Sequence, residues 1–356
     1  MSERPVIVIK IGSNSLVDRH GKLDAPYLGR MAAQFAAVYA AGWQPVLVSS
    51  GAVASGVARL GLKERPPGLP ERQALAAIGQ VSLANRWEAA LAAQDLVAAQ
   101  VLLTYDDFTN RGRYLNLAAT FRALFEFGAV PVINENDTVA VEELTVGDND
   151  RLSALVATQL GAERLVLLTD IDGMYDADPR SNPEAKRLIE IATVTTKILS
   201  AAGGAGARGR GGMRSKIEAA RLASGAGVTT TICLARERDV LTRVIAGEDL
   251  GTRIPGRGER ADSRRRWLAV ARRVKGHLHV DAGAAAALVG KGKSLLPAGI
   301  TRVEGSFARG LAALSSDELN QIAGKRLDAA ANLLGYALPK AAVHRDDLLL
   351  LVTAGG

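Results

Sequence analysis

Residues 5–12 read PVIVIKIG: four β-branched residues in succession, then a lysine, a fifth β-branched residue and a glycine. An apolar run without polar alternation is the pattern of a strand covered on both faces. A stretch at helical spacing follows, YLGRMAAQFAAVYAAG (27–42), ending at Gly42. The strand signature returns in QPVLVSSG (44–51), LVAAQVLLT (96–104), AVPVIN (129–134), RLVLLTD (164–170) and TTTICLA (229–235). Buried strands separated by helices predict an α/β fold, a three-layer αβα sandwich around a mostly parallel sheet. Ligands of such sheets bind beyond the carboxyl ends of the strands. Here those ends carry Lys10–Gly12, Ser49–Gly51, Thr104, Asn134–Asp137 and Thr169–Asp170, which are expected to meet in one cleft.

The chain of 356 residues is long enough for about two domains, each with a core of its own. With 48% hydrophobic and 23% charged residues it has the composition of a soluble globular protein. No apolar run reaches the roughly 20 residues of a bilayer span, and MSERPVIVIK lacks the basic start and apolar core of a signal peptide, so a cytoplasmic protein is expected. The single cysteine, Cys233, lies within an apolar run and reads as a core thiol. A net charge of +7 favours anionic partners such as nucleotides, acidic metabolites or RNA. After residue 250 the texture changes. TRIPGRGERADSRRRWLAVARRVKG, rich in Arg and Gly, reads as a connection leading to a basic turn or helix near Trp267, and the sequence beyond Gly276 has short strands and Gly turns. The predicted organisation is a catalytic domain over 1–255, a basic linker over 256–275 and a small β-rich domain over 276–356.

Lysine inside an apolar strand is costly unless its ammonium emerges at the strand end and meets an anion. The small residues after Lys10, beginning with Gly12, would let backbone N–H groups approach phosphate oxygens, although a strand-ending turn with a snorkelling lysine has the same pattern. A second signal is GGAGARGRGGMRSKIEAARLASGAG (203–227), a glycine loop running into a helix with Lys216 on its first turn. It suits a polyphosphate that must be enclosed and released, or it is a plain surface loop. LLTDIDGMYDADPR (167–180) is a strand wrapping into dense turn chemistry through Gly173, Tyr175 and Asp178-Pro179. Finally, VPVINENDTV (130–139) ends in Asn134, Glu135, Asn136 and Asp137, and GDNDRLSA adds Asp148, Asn149 and Asp150. Such a pair could hold a metal, supply an acid and a base, or cradle a substrate.

Several look-alikes fall away. Gly292-Lys293-Ser294 has Ala287 where a P-loop requires its first glycine. Gly204, Gly206 and Gly209 fit a dinucleotide fingerprint by spacing but follow KILSAAG, not a convincing strand. DIDGMYD has its glycine at the wrong position for a calcium loop. His277 and His279 share a strand face without a third zinc ligand.

The blocks KIGSNSL, VSSGAVASG, ALAAIGQ, RYLN, VPVINENDTV, VGDNDRLSALVA, LLTDIDGMYDADPRSNP and GGMRSKIEAA occur in the order found in the glutamate 5-kinase branch of the amino acid kinase family, which the chain resembles from residue 5 to about 355. KIG and TD-x-x-G-x-Y mark the wider superfamily, whereas VPVINEND with VGDNDRLSA favours this branch. The stretches VDAGAAAAL, SLLPAGITRVEGSFARG, QIAG, LGY and VHRDDLLLL resemble a PUA domain. Two departures stand out. Only LAAL separates FARG from SSDELNQIAG where the family carries a further strand-turn-strand segment, so a shortened PUA domain is expected, and Arg210 stands where the family has Thr.

The resemblance implies ATP-dependent phosphorylation of the γ-carboxylate of L-glutamate to L-glutamyl 5-phosphate, at the start of proline synthesis, with Mg2+ on the nucleotide and no protein side chain assigned to the metal. It implies catalytic roles for Lys10, Lys216 and Asp150, the lysines stabilising the transition state and the carboxylate holding them. Asp150 also reads as an N-cap for a helix over 151–161. Asp137 suits the substrate ammonium, Asn134 and Asn149 either kind of group, and Ser50 with the N–H groups of Gly51 and Ala52 a carboxylate. ATP is expected over Lys10, Gly12, Thr169, Asp170, Tyr175 and the loop of Arg210, Gly211, Gly212, Met213, Arg214, Ser215 and Lys216. Proline as an inhibitor near 106–116 and a homo-oligomer, dimer or tetramer, are implied as well. Two rival readings remain: another amino acid kinase, acting on aspartate, acetylglutamate or uridylate, and an RNA-binding module using the PUA-like tail and Arg264–Arg266.

Overall fold

A computed structural model of the chain describes residues 4–18, 21–140, 149–177, 182, 184–203, 212–257, 276–307, 309, 312–339, 341–345 and 348. Arg210, Gly211, Asp148, Asp178, Pro179, the glycines at 204, 206 and 209, and the basic stretch 258–275 with Trp267 lie outside the described residues. The chain divides into two compact units, Met1–Ala261 and Asp262–Gly356.

In the first unit the β-branched runs form the strands β1 (Val6–Ile11), β2 (Gln44–Ser49), β3 (Val97–Leu103), β4 (Ala129–Glu135), β5 (Arg164–Thr169) and β6 (Thr229–Leu234), with a short β7 (Thr252–Ile254). Their order in the sheet is β3-β4-β2-β1-β5-β6-β7, parallel throughout except for β7, which pairs antiparallel to β6. The central strands are buried almost end to end, whereas β3, at the edge, is largely exposed. β7 lies inside the stretch read as a connection. Its three residues are too few to show a period among turn formers, and pairing fixes them: besides β6, Arg253 N donates to Ile189 O and Ile191 N to Arg253 O.

Helices cover both faces. Alternation along β1 turns Ile7, Ile9 and Ile11 toward α2 (Ala25–Ala40) and α4 (Leu69–Ala92), where they join Met31, Phe35, Leu83 and Trp87 in one core. Helix α2 starts earlier than its apolar spacing suggests because Asp24 caps it, accepting from Tyr27 N at 3.0 Å. Val8 and Lys10 share the opposite face of β1, which is packed by α7 (Asn149–Leu160), itself packed against α9 (Met213–Gly225). This parity decides the site: the last residue of β1 on the α7 side is the lysine.

Strand ends are aligned by register, Ile11 opposite Ser49 and Leu168. From β1 the chain builds β2, β3 and β4 on one side and then crosses to β5 on the other, so β1 stands at the switch point where open α/β sheets bind ligands.

The second unit contains, among its described residues, the antiparallel pair β8 (Gly276–Val280) and β9 (Ile300–Gly305) with helices over Ala282–Lys291, Ser316–Ile322 and Leu327–Leu334. They enclose a separate core of Leu295, Ile300, Leu314, Leu319 and Ile322.

Candidate active site

Lys10 ends the α7 face of β1 with its side chain only 5% exposed, and its Nζ lies 2.5 Å from Oδ1 of Asp150. Asp150, fully buried, sits in the first turn of α7 instead of capping it. Its other oxygen, Oδ2, lies 3.2 Å from Nζ of Lys216, also buried, on the first turn of α9. Ser215 Oγ donates to the same Oδ2 at 2.8 Å and is also 2.8 Å from Gly212 O. Among the described residues, two ammonium groups here share one buried carboxylate. Buried charge of one sign is costly until a counter-charge arrives. The arrangement can receive an anion at the carboxyl end of β1.

One residue before Asp150 begins a second cluster. Asn149 Nδ2 donates to Ser50 Oγ at 2.8 Å, to Asn134 Oδ1 at 3.1 Å and to Ser49 O at 3.4 Å. Asn134 Oδ1 also accepts from Glu135 N at 2.9 Å, and its Nδ2 donates to Gln80 Oε1 at 2.8 Å. Asn149 Oδ1 is buried and has no hydrogen-bond partner among the described residues. Gly51 adopts φ +104°, a left-handed turn that favours glycine, and opens α3 (Ala52–Leu60), so free N–H groups of that first turn lie beside Ser50. Trp87 Nε1 donates to Ser49 Oγ at 2.9 Å and fixes the strand end from the opposite face. Asp137 stands half-exposed in the turn after β4. That turn is held by Asn136 N donating to Leu103 O at 2.8 Å and by Gln73 Nε2 donating to Ala140 O at 2.9 Å.

The structure thus brings Lys10, Asp150, Ser215 and Lys216 together, and beside them Ser50, Asn134 and Asn149. The residues expected around a nucleotide are more dispersed. Gly12 is near the triad: a Cβ there would lie 3.6 Å from Lys10 Nζ, so any side chain would begin to cover the ammonium. Thr169 is buried at the end of β5, its Oγ1 3.0 Å from Asp170 Oδ1. Tyr175 donates to Asp172 Oδ1 at 2.9 Å, which raises its pKa, and it bridges to Arg187. Gly212 and Met213 open α9, and Arg214 is turned to solvent in a pair with Glu218. The lysines and Asn149 were legible as signals. Gln80 carries no such signal, although it ends the block ALAAIGQ, and neither does the bond from Ser215 to Asp150.

The donor set also bears on a metal. Among the described residues no group of three or more His, Cys, Asp or Glu side chains could hold one, and the buried carboxylate of the cleft is engaged by lysines. These residues are compatible with Mg2+ brought in on phosphate oxygens, the mode in which that small, strongly hydrated cation usually enters phosphoryl-transfer sites. Nor is any described helix long and apolar enough to cross a membrane.

Known proteins share the fold and much of the sequence of this chain. The amino acid kinase family matches residues 5–234 and the PUA domain residues 276–334. The glutamate 5-kinase of Chromohalobacter salexigens is 45% identical, covering 97% of this chain and 96% of the relative. That of Pseudomonas fluorescens is 47% identical, covering 97% of each. Among solved structures, carbamate kinase from Giardia lamblia bound to AMP-PNP has a TM-score of 0.52 and 19% identity, over 72% of this chain and 100% of that one, a likeness of fold alone.

Proposed function

The chain belongs to the amino acid kinase family, among its glutamate 5-kinases, and from that premise we propose how its cleft phosphorylates the γ-carboxylate of L-glutamate with ATP. The product, L-glutamyl 5-phosphate, opens the route from glutamate to proline. The observation that carries the reading is the buried Lys10–Asp150–Lys216 triad, one chain position from the amide cluster of Asn149, Asn134 and Ser50.

A glutamate side chain, with a pKa of about 4.3, is already ionised at neutral pH, so no general base is required. One γ-carboxylate oxygen forms a bond to the γ-phosphorus, and the bond from that phosphorus to the bridging oxygen breaks, its electron pair leaving with ADP. No proton moves. What the reaction needs is alignment of two anions and neutralisation of the charge between them. Lys10 and Lys216 supply that neutralisation on the transferring group. Asp150, bound to both, keeps the ammonium groups a fixed distance apart when the site is empty. Mg2+ bound with the nucleotide would supply further neutralisation of the phosphate charge beside Lys10 and Lys216.

On the acceptor side, Asp137 and the oxygen of Asn149 face a cationic α-amino group, and Ser50 with the N–H groups of Gly51 and Ala52 takes a carboxylate. Thr169, Asp170, Tyr175, Gly12 and the segment Gly212–Lys216 line the nucleotide side. Free proline competes near residues 106–116, the chain works as a homo-oligomer, and its location is the cytoplasm.

The test is ATP-dependent conversion of glutamate, trapped with hydroxylamine as the hydroxamate. Lys216→Ala serves as the inactive control, proline as the titrant, and aspartate, acetylglutamate and UMP as alternative acceptors. Turnover of UMP with none of glutamate would sink the assignment. Sequence-specific RNA binding that survives removal of residues 1–255 would move the principal role to the tail.

A further inference from the structure

We infer that Gln80, on α4, is a positioning residue that sets the polarity of the acceptor site and so its preference for an α-amino acid. The inference rests on the glutamate reading above and deepens it.

The amide orientations are fixed by backbone groups, whose donor or acceptor character cannot change. Glu135 N is a donor, so the atom of Asn134 facing it at 2.9 Å is the oxygen. Its nitrogen must then point the other way, toward Gln80, and needs an acceptor there; Gln80 Oε1 provides one at 2.8 Å. At the far end Ser49 O is an acceptor, so the atom of Asn149 facing it is the nitrogen, which also reaches Asn134 Oδ1. Both hydrogens of that nitrogen are spent among Ser50, Asn134 and Ser49. What remains is Asn149 Oδ1, buried and without a hydrogen-bond partner among the described residues. A buried acceptor of this kind is satisfied by a substrate N–H, and an ammonium gives the strongest such bond. Removing Gln80 leaves the Asn134 nitrogen an unsatisfied donor. With Glu135 N still holding the oxygen, its cheapest remedy is to turn toward the ligand, which presents a donor where an ammonium must sit.

The experiment compares Gln80→Met, similar in size but without a good acceptor, with Gln80→Glu, which retains one, in the full chain. L-Glutamate and glutarate, the same diacid without the amino group, are the acceptors, and KM for ATP is followed in parallel. Gln80→Met is expected to raise KM for L-glutamate roughly tenfold, the effect of one lost hydrogen bond, with kcat/KM for glutarate and KM for ATP unchanged. Gln80→Glu is expected to stay within about threefold of the parent. Equal losses on glutamate and glutarate, or no loss in Gln80→Met, would overturn the inference, as would failure of Gln80→Glu to restore glutamate binding while remaining folded. If the parent chain itself makes no acyl phosphate from glutamate, the underlying reading fails instead, a result separable from any of these.

Discussion

Asp150 is where the electrostatics of the molecule are most exposed to a single substitution. Its two oxygens lie 2.5 and 3.2 Å from ammonium nitrogens, with no solvent to screen them. Asp150→Asn keeps the shape and removes the charge, so two buried ammonium groups lose the carboxylate they share. Breaking a buried ion pair in this way costs roughly 3–5 kcal/mol of stability. A kcat loss of about two to three orders of magnitude is expected because the lysines no longer hold their positions. Thermal melting and steady-state kinetics check the two effects separately, and a variant with full stability and full kcat would remove Asp150 from the mechanism. Cys233 offers a pH test. Burial pushes its thiol up from 9.0 to about 12, since the thiolate finds no solvation in the core. Its contribution to stability is intact below pH 9.0 and is lost as pH rises toward 12, where the unfolded chain ionises first. At pH 8 the folded protein should leave an aromatic disulfide reagent uncoloured and react after unfolding in urea. Fast reaction of the native protein would contradict the burial.

At the scale of elements, α3 and α4 touch backbone to backbone. A Cβ on Gly79 would lie 1.8 Å from Ala52 O, and one on Gly56 would lie 2.0 Å from Leu75 O. The contact matters because Ala52 begins α3 at the carboxyl end of β2, next to Ser50, and because α4 also carries Gln80. Gly79→Ala must push the helices apart, at a cost on the order of 1–3 kcal/mol, and moves the first turn of α3 with them. A lowered melting temperature with a raised KM for glutamate and a largely unchanged KM for ATP is the expected pattern; an unshifted glutamate KM would separate the helix contact from the site. The same pair marks the limit of reading the sequence. The strands β1, β2, β4, β5 and β6 announce themselves because their own β-branched runs report burial on both faces. Lys10 was conspicuous as a charge in such a run. The meaning of Gly79 and Gln80, by contrast, is held by partners elsewhere: Gln80 meets Asn134 at a separation of 54 residues, and nothing in ALAAIGQ names that partner. The short β7 was hidden for a related reason, since pairing and not local pattern makes it a strand.

At the scale of the whole chain, strand order is the information that local patterns lack. The seven strands of the main sheet run from Val6 to Ile254, and the triad draws its members from β1, α7 and α9, so the site exists only when the halves of that sheet have closed around β1. The first unit also finishes its own edges: Gly256 N donates to Thr229 Oγ1 at 3.2 Å, Arg257 N to Ser224 O at 2.9 Å, and the Arg257 guanidinium to Ala192 O. The second unit has a different core, and its helix over Ser316–Ile322 closes with a capping box of its own. In that unit the Arg309 guanidinium holds the Glu318 carboxyl well below the usual carboxylate range, with Tyr336 donating to the same group. Each unit therefore has the ingredients of an independent fold. A chain ending after Arg257 is expected to melt cooperatively and to form glutamyl hydroxamate with KM values for glutamate and ATP within about threefold of the full chain, because no described group of the proposed site lies beyond α9. Differential scanning calorimetry and the hydroxamate assay on the truncated chain measure both properties. A truncated chain that melts cooperatively yet transfers no phosphoryl group would show that the second unit supplies part of the working site.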